Sequence, residues 1–383
     1  MYEEVSSWKK RIFLNTCLVI MIFVTFCKTS VSEAAGLFMQ NSAKENSIPR
    51  EIHRLRVDKY INAVAWNMDG SRLAALSNFG GTITVWDTSD WKKITEFQHY
   101  GGAYSFNSFS YLPDGSLLAT SPIGKSPDPR YETLSIFALI QWNPETGQAI
   151  RYIPNVEHLT RENGGSADMF VVAPNRNWIA AINRSTYVSL YSATNGDFIR
   201  NFSVPALPTH ADRPRSTTFS PNQKELAVGT DGGKLYYFDP TNGALLRQFD
   251  TFKNDDYSCG ALAYKSDGEL IAIAKNKNFD VLNPTTISTE IMRVSDGAVM
   301  AFLPGATTEV NGKIEAVPVR TLAWKPNDDV LAIGDDKALH IWRINATETT
   351  QLLDAPLSGL YSVKYSPNGI LAAASANEIL IVK

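Results

Sequence analysis

Histidine is the side chain most often recruited for proton transfer near neutral pH and for zinc. This chain has five: His53, His99, His158, His210 and His340. They are scattered, and no two stand at the spacing of a zinc-ligand pair. There is no G-x-S-x-G nucleophile elbow and no helix–loop–helix calcium loop. Gly80-Gly81 and Gly232-Gly233 lie between short apolar runs, so they read as turn glycines and not as phosphate cradles. No cofactor motif is present, and none is expected to bind. One catalytic arrangement stays open: a divalent ion held jointly by His158, Asp168, His210 and Asp212. The richer chemistry is that of recognition. Arg130, Tyr131, His158, Arg161, His210, Arg213 and Phe279 fall in long polar segments, and arginine and aromatic side chains are the usual interface anchors.

Something regular must position these residues, and the sequence supplies it. AVAWNMDGSRLAAL starts at Ala63, SFSYLPDGSLLATS at Ser108 and MFVVAPNRNWIAAI at Met169. STTFSPNQKELAVG follows at Ser216, ALAYKSDGELIAIA at Ala261, TLAWKPNDDVLAIG at Thr321 and SVKYSPNGILAAAS at Ser362. Each is an apolar strand ending in a large residue, a Pro/Asn/Asp/Gly turn and a second apolar strand. Repeats of about 40–60 residues with several strands per unit signal a radial array. The expected fold is all-β, a seven-bladed β-propeller of four-stranded antiparallel blades spanning residues 50–383. In the first unit the four strands are Ile61–Trp66, Arg72–Leu76, Thr82–Trp86 and Lys93–Phe97, named a to d from the channel outward. The last unit shows only three, and EIHRLRV from Glu51 has strand character with no partner. That segment is expected to close the last blade as its outer strand, which leaves no long open edge.

These units resemble the WD-repeat propeller family. The family's dipeptide is intact at Trp86-Asp87 and echoed at Trp142-Asn143, Phe238-Asp239 and Trp342-Arg343. The histidine often found after strand d stands only at His99. The turns NPETG, SATNG, DPTNG and VSDG are quinoprotein-like. The resemblance covers about residues 50–383 and implies a rigid binding scaffold.

Loop lengths point to one face. The a–b and c–d turns are short and share a face. The long insertions are residues 121–132 and 275–288 between strands b and c, and 154–167, 204–214 and 304–318 between blades. All five fall on the opposite face, where insertions in repeat proteins often build the binding surface. A second pattern adds to this. The residue four before each unit's large landmark is Asn62, Asn107, Asp168, Arg215, Gly260, Arg320 and Tyr361. These equivalent positions would ring the channel mouth on the loop face, with Arg215 and Arg320 as clamps for an anionic group.

The N-terminus is of another kind. Lys9, Lys10 and Arg11 precede an apolar stretch from Ile12 to Cys27, and Ser32 and Ala34 fit a small-residue cleavage rule. Residues 1–34 read as a secretory signal peptide, with an uncleaved anchor as the alternative, and 35–49 as a linker. Either way the propeller would be exported, periplasmic or extracellular, touching a membrane only through an uncleaved N-terminal segment. Cleavage would leave Cys259 as the one cysteine, read as a small packing residue. A net charge of −3 with no basic run speaks against nucleic acid as a partner. The function expected is a non-catalytic scaffold for a protein, peptide or surface polymer. The rival is a propeller enzyme, a hydrolase, lactonase or quinone-dependent dehydrogenase, working at the same mouth.

Overall fold

The computed structural model describes residues 48–383, apart from 59, 78–80, 99–108, 126–134, 154–169, 174–177, 183–185, 206–211, 252–256, 278–286, 311–312, 346–348 and 358. Every regular element described is a strand. The seven turn motifs each form the a–b hairpin of one four-stranded antiparallel sheet. Blade 1 runs Ile61–Trp66, Arg72–Ser77, Thr82–Asp87 and Lys93–Gln98. Blade 4 runs Pro214–Phe219, Leu226–Thr230, Lys234–Phe238 and Leu245–Asp250. Blade 6 runs Val319–Trp324, Val330–Asp335, Ala338–Ile344 and Thr349–Pro356.

Blade 7 is closed as the sequence predicts. Leu360–Tyr365, Leu371–Ser375 and Glu378–Val382 supply three strands, and Glu51–Arg56 pairs antiparallel with the third. Two backbone hydrogen bonds of 3.0 Å join Arg50 to Lys383, and Arg54 reaches Glu378 at 2.8 Å. The ring is thus fastened by residues from opposite ends of the sequence.

The core is divided among the junctions between blades. Seven apolar clusters of the described residues each draw on two neighbouring blades. Side chains alternate across a strand, so the two faces of one strand serve two junctions. In strand b of blade 1, Leu73 and Ala75 pack toward blade 7, while Ala74 and Leu76 pack toward blade 2. Burial on both faces explains why these strands are continuously apolar and not alternating. Hydrogen bonds cross the same junctions: Trp66 Nε1 donates to the Lys364 carbonyl and Trp324 Nε1 to that of Ala263, each at 3.0 Å.

Two of the expected loops are partly strand. In blade 2 the second strand extends to Lys125 and the third starts at Ser135; in blade 5 the corresponding limits are Lys277 and Ile287. The insertion before blade 6 folds into a hairpin of its own, Thr307–Val310 paired with Lys313–Ala316.

Candidate functional site

The ring of equivalent residues at the start of strand a has a structural signature. In five blades the a–b register slips by one residue at that position. The slips lie between Ile61 and Ala63, Pro214 and Ser216, Cys259 and Ala261, Val319 and Thr321, and Leu360 and Ser362. The residues skipped are Asn62, Arg215, Gly260, Arg320 and Tyr361. A β-bulge lifts one residue out of the ladder and re-aims its side chain. The same residue in each blade is therefore set apart by the backbone at the loop-face end of the innermost strands. Asn107 and Asp168, the other two members of the ring, lie outside the described residues.

Three of the bulged residues meet a residue sixteen places on, just past or near the end of strand b. Arg215 is ion-paired with Asp231. Arg320 holds Asp336 through two hydrogen bonds of 2.8 Å. At Gly260 the space a side chain would occupy is taken by the amide of Asn276. The expected clamps are thus already engaged by a carboxylate of their own blade. They present a fixed guanidinium–carboxylate pair and not a bare cation. The Asp336 hydrogen bond, outweighing burial, raises the Arg320 pKa further. Burial raises that of Asp231 in spite of Arg215.

Beside Arg320 the polar cluster continues across blades 6, 7 and 1. Tyr361 and Tyr60 share a hydrogen bond of 2.8 Å, with ring centroids 5.3 Å apart. Burial and this bond push the Tyr60 phenol up to about 12, so it is neutral at physiological pH. Asn62 is buried. A guanidinium–carboxylate pair beside two phenols can donate and accept hydrogen bonds.

Of the loop candidates, Arg213 is exposed and its carbonyl accepts from Asp231 N at 2.9 Å. Arg130, Tyr131, His158, Arg161, His210 and Phe279 lie outside the described residues. So do three of the four groups weighed for a divalent ion. The fourth, Asp212, is fully buried and accepts amide hydrogens from Gly232 at 2.9 Å and Arg213 at 3.0 Å. It braces the b–c turn of blade 4. Among the described residues no three histidine, cysteine or acidic side chains are grouped for a metal.

His340 also has a bracing role. Its Nε2 meets the buried Asp335 carboxylate at 2.9 Å. The same carboxylate accepts from the amides of Ala306, Lys337 and Ala338 at 2.8–3.1 Å. Burial would raise the Asp335 pKa, but these hydrogen bonds together hold it below the ordinary value. Cys259 is buried at the blade 4–5 junction, and burial pushes its thiol up to about 12, which makes it unreactive.

Sequence reasoning missed the other end of the channel. A cavity of about 580 Å³ opens there, on the face of the a–b turns. Trp66, Phe109, Phe170, Val172, Phe219 and Tyr365 line it. Three of them are the landmark aromatics used to align the units, so the signal was present but served only as a marker of register.

Comparison with known proteins agrees with this architecture. Residues 308–343 match the family described as WD domain, G-beta repeat. The match falls on blade 6, where Asp335 and His340 are hydrogen-bonded, and not on blade 1 with its intact dipeptide. No curated protein matches the chain. Among solved structures, the RRP9 WD40 repeats superpose with a TM-score of 0.66 at 12% identity, covering 88% of this chain and 98% of that one. The structure of U3-55K gives 0.64 at 13% identity, covering 87% and 98%. A chain from the mitotic checkpoint complex gives 0.63 at 13%, covering 87% and 91%. The chain is thus a closed ring of seven four-stranded blades, a β-propeller in which one unit, residues 308–343, matches the WD-repeat model.

Proposed function

We propose that this propeller is an exported, non-catalytic scaffold that binds a protein, peptide or surface polymer on its loop face. The observation that carries the reading is the repeated bulge. Five blades set apart the same residue at the same end of the channel, and a backbone device repeated around a ring builds a common platform. The extra hairpin Thr307–Val310 with Lys313–Ala316 adds to that face. Propellers of this type generally serve as protein-interaction scaffolds, and one of the similar structures was solved within a multiprotein complex. Export is supported by the basic, apolar and small-residue order of residues 1–34.

Recognition by a fixed Arg–Asp pair is directional. The partner donates to the carboxylate or accepts from the guanidinium. The test uses the full chain, affinity-tagged in its own cells, and a double variant Arg215→Ala, Arg320→Ala. The expected result is a partner captured from the envelope or secreted fraction whose affinity falls about tenfold or more in the double variant, since each charge-assisted hydrogen bond contributes about 1.5–3 kcal/mol. Equal affinity for both proteins would remove the ring from the interface.

A further inference from the structure

We infer that the turn-face end of the channel is a second docking site, one that takes an extended peptide with a large apolar anchor residue beside lysine or arginine. This surface is distinct from the loop face, and the inference does not depend on that reading.

The anchor position follows from the cavity. Strand-a ends from five blades and the a–b turn of blade 6 converge on it, and most of its wall is aromatic, aliphatic and prolyl, with Pro221, Pro326 and Pro367 at the turns. Its volume of about 580 Å³ lies in the roughly 300–1,000 Å³ range of ligand sites. Trp66 is fixed in place by its hydrogen bond to the Lys364 carbonyl. An aromatic or branched aliphatic side chain entering here would bury apolar surface against this wall.

The neighbouring residues follow from the groove beside it. A second cavity of about 880 Å³ runs outward across blades 4, 5 and 6 on the same face, and Ser220 lines both. Two of its cations are engaged by its own carboxylates. Arg247 is held by Glu225 at 2.8 and 2.7 Å, by the Val294 carbonyl at 3.0 Å and under the Tyr237 ring at 4.2 Å. Lys265 is only 14% exposed and is bound to Asp267 and Asp329, whose side chains are 38% and 47% exposed. Glu269 is also exposed and lines the groove. The groove therefore shows a partner the carboxylates of Asp267, Asp329 and Glu269 against one exposed cation, Arg293, which is itself held by Asp296 at 3.1 Å. Such a surface attracts a basic segment and repels an acidic one. Lys364, the charged side chain lining the apolar cavity, stands on blade 7, across the channel from the groove. This polarity sets direction: the basic residues run over blades 4 to 6, away from Lys364.

Two cavities on one face, with Ser220 lining both, favour an extended chain that reaches from one to the other over a compact small molecule. The acidic rim disfavours nucleic acid and anionic lipid.

The test is selection of a random dodecapeptide display library on the immobilised full chain. Enriched peptides are expected to carry a large apolar residue within three positions of two or more Lys/Arg. Synthetic copies should bind at least tenfold more weakly to Ser110→Trp, which fills the cavity mouth. They should bind about threefold more weakly to Glu269→Lys, a surface change that leaves the core untouched, and should lose affinity as salt rises. Arg320→Ala, on the other face, should leave them unaffected. No enrichment, enrichment of acidic or uncharged sequences, or binding insensitive to both turn-face variants would overturn the inference. So would loss of binding in Arg320→Ala alone, which would place the peptides on the loop face.

Discussion

The buried carboxylate of Asp335 shows how a single side chain can hold two parts of the ring. It caps the b–c turn of blade 6 through Lys337 and Ala338, fixes His340, and reaches back to Ala306 before that blade. Replacing it with alanine strands three amide donors and one imidazole in a dry site. The expected cost is about 2–4 kcal/mol, measured by chemical denaturation at pH 7. The pH dependence has a definite sign. Hydrogen bonds hold the folded pKa below the unfolded value, near 3.9. The contribution is complete above that value and fades as pH falls through the lower folded pKa. Asp335→Ala and the natural protein should therefore converge in stability in acid. A gap that stays constant from pH 7 to pH 3 would show that the carboxylate's charge is not what matters. At this scale the sequence was partly legible. His340 reads as structural from its place beside Trp342 on an apolar strand. Asp335 does not, because its partners come from turns that only the folded blade assembles. Arg215 and Arg320 were visible as cations, but the aspartates that engage them sixteen residues on were not.

Among the elements, the turns carry the most information in sequence and the most constraint in structure. The Pro/Asn/Asp/Gly motifs place all seven a–b hairpins, because turn chemistry is local. The bulges were not legible as bulges; a register slip shows only when two strands are paired. Neighbouring blades fit at the c–d turns. Gly147, in blade 2, has φ of +68°, and a Cβ there would lie 2.6 Å from the Phe97 ring of blade 1. Phe97 in turn packs on Trp142, centroids 5.6 Å apart. Gly147→Ala thus meets both a left-handed backbone penalty and a steric one, together about 2–3 kcal/mol. Calorimetry should show a lowered Tm, and shrinking Phe97 to alanine in the same chain should return part of the steric share. If the double variant is no better than additive, the contact between blades is looser than the geometry indicates.

For the whole molecule, the count of blades and their closure were both readable, the first from repetition and the second from a strand left without a partner. The face on which cavities open was not, since the channel lining is made by six blades at once and no segment announces it. Closure is testable. Glu51–Arg56 covers the edge of Glu378–Val382 and buries Leu55 at the blade 7–1 junction. Deleting residues 51–57 should lower stability by about 4 kcal/mol, from one buried leucine and several ladder hydrogen bonds. It should also give concentration-dependent association through the bared strand, read by sedimentation. A monomeric variant of unchanged stability would mean that the ring does not rely on its clasp.

The Arg54–Glu378 pair spans 324 positions of sequence. Such a contact forms late, because the entropy of closing so long a loop must be met before the contact can reward it. During synthesis the Glu51–Arg56 segment emerges before the Glu378–Val382 strand that it pairs with, and it finds its place only once that strand is available. For that whole interval the nascent chain holds an unmatched strand at one end and unfinished blades at the other. Crowded polysomes would bring several such ends together, the setting in which strands are exchanged between molecules. Slow delivery of the Glu378–Val382 strand, or a holding chaperone on the early strand, should therefore govern yield more strongly than any change within the finished core.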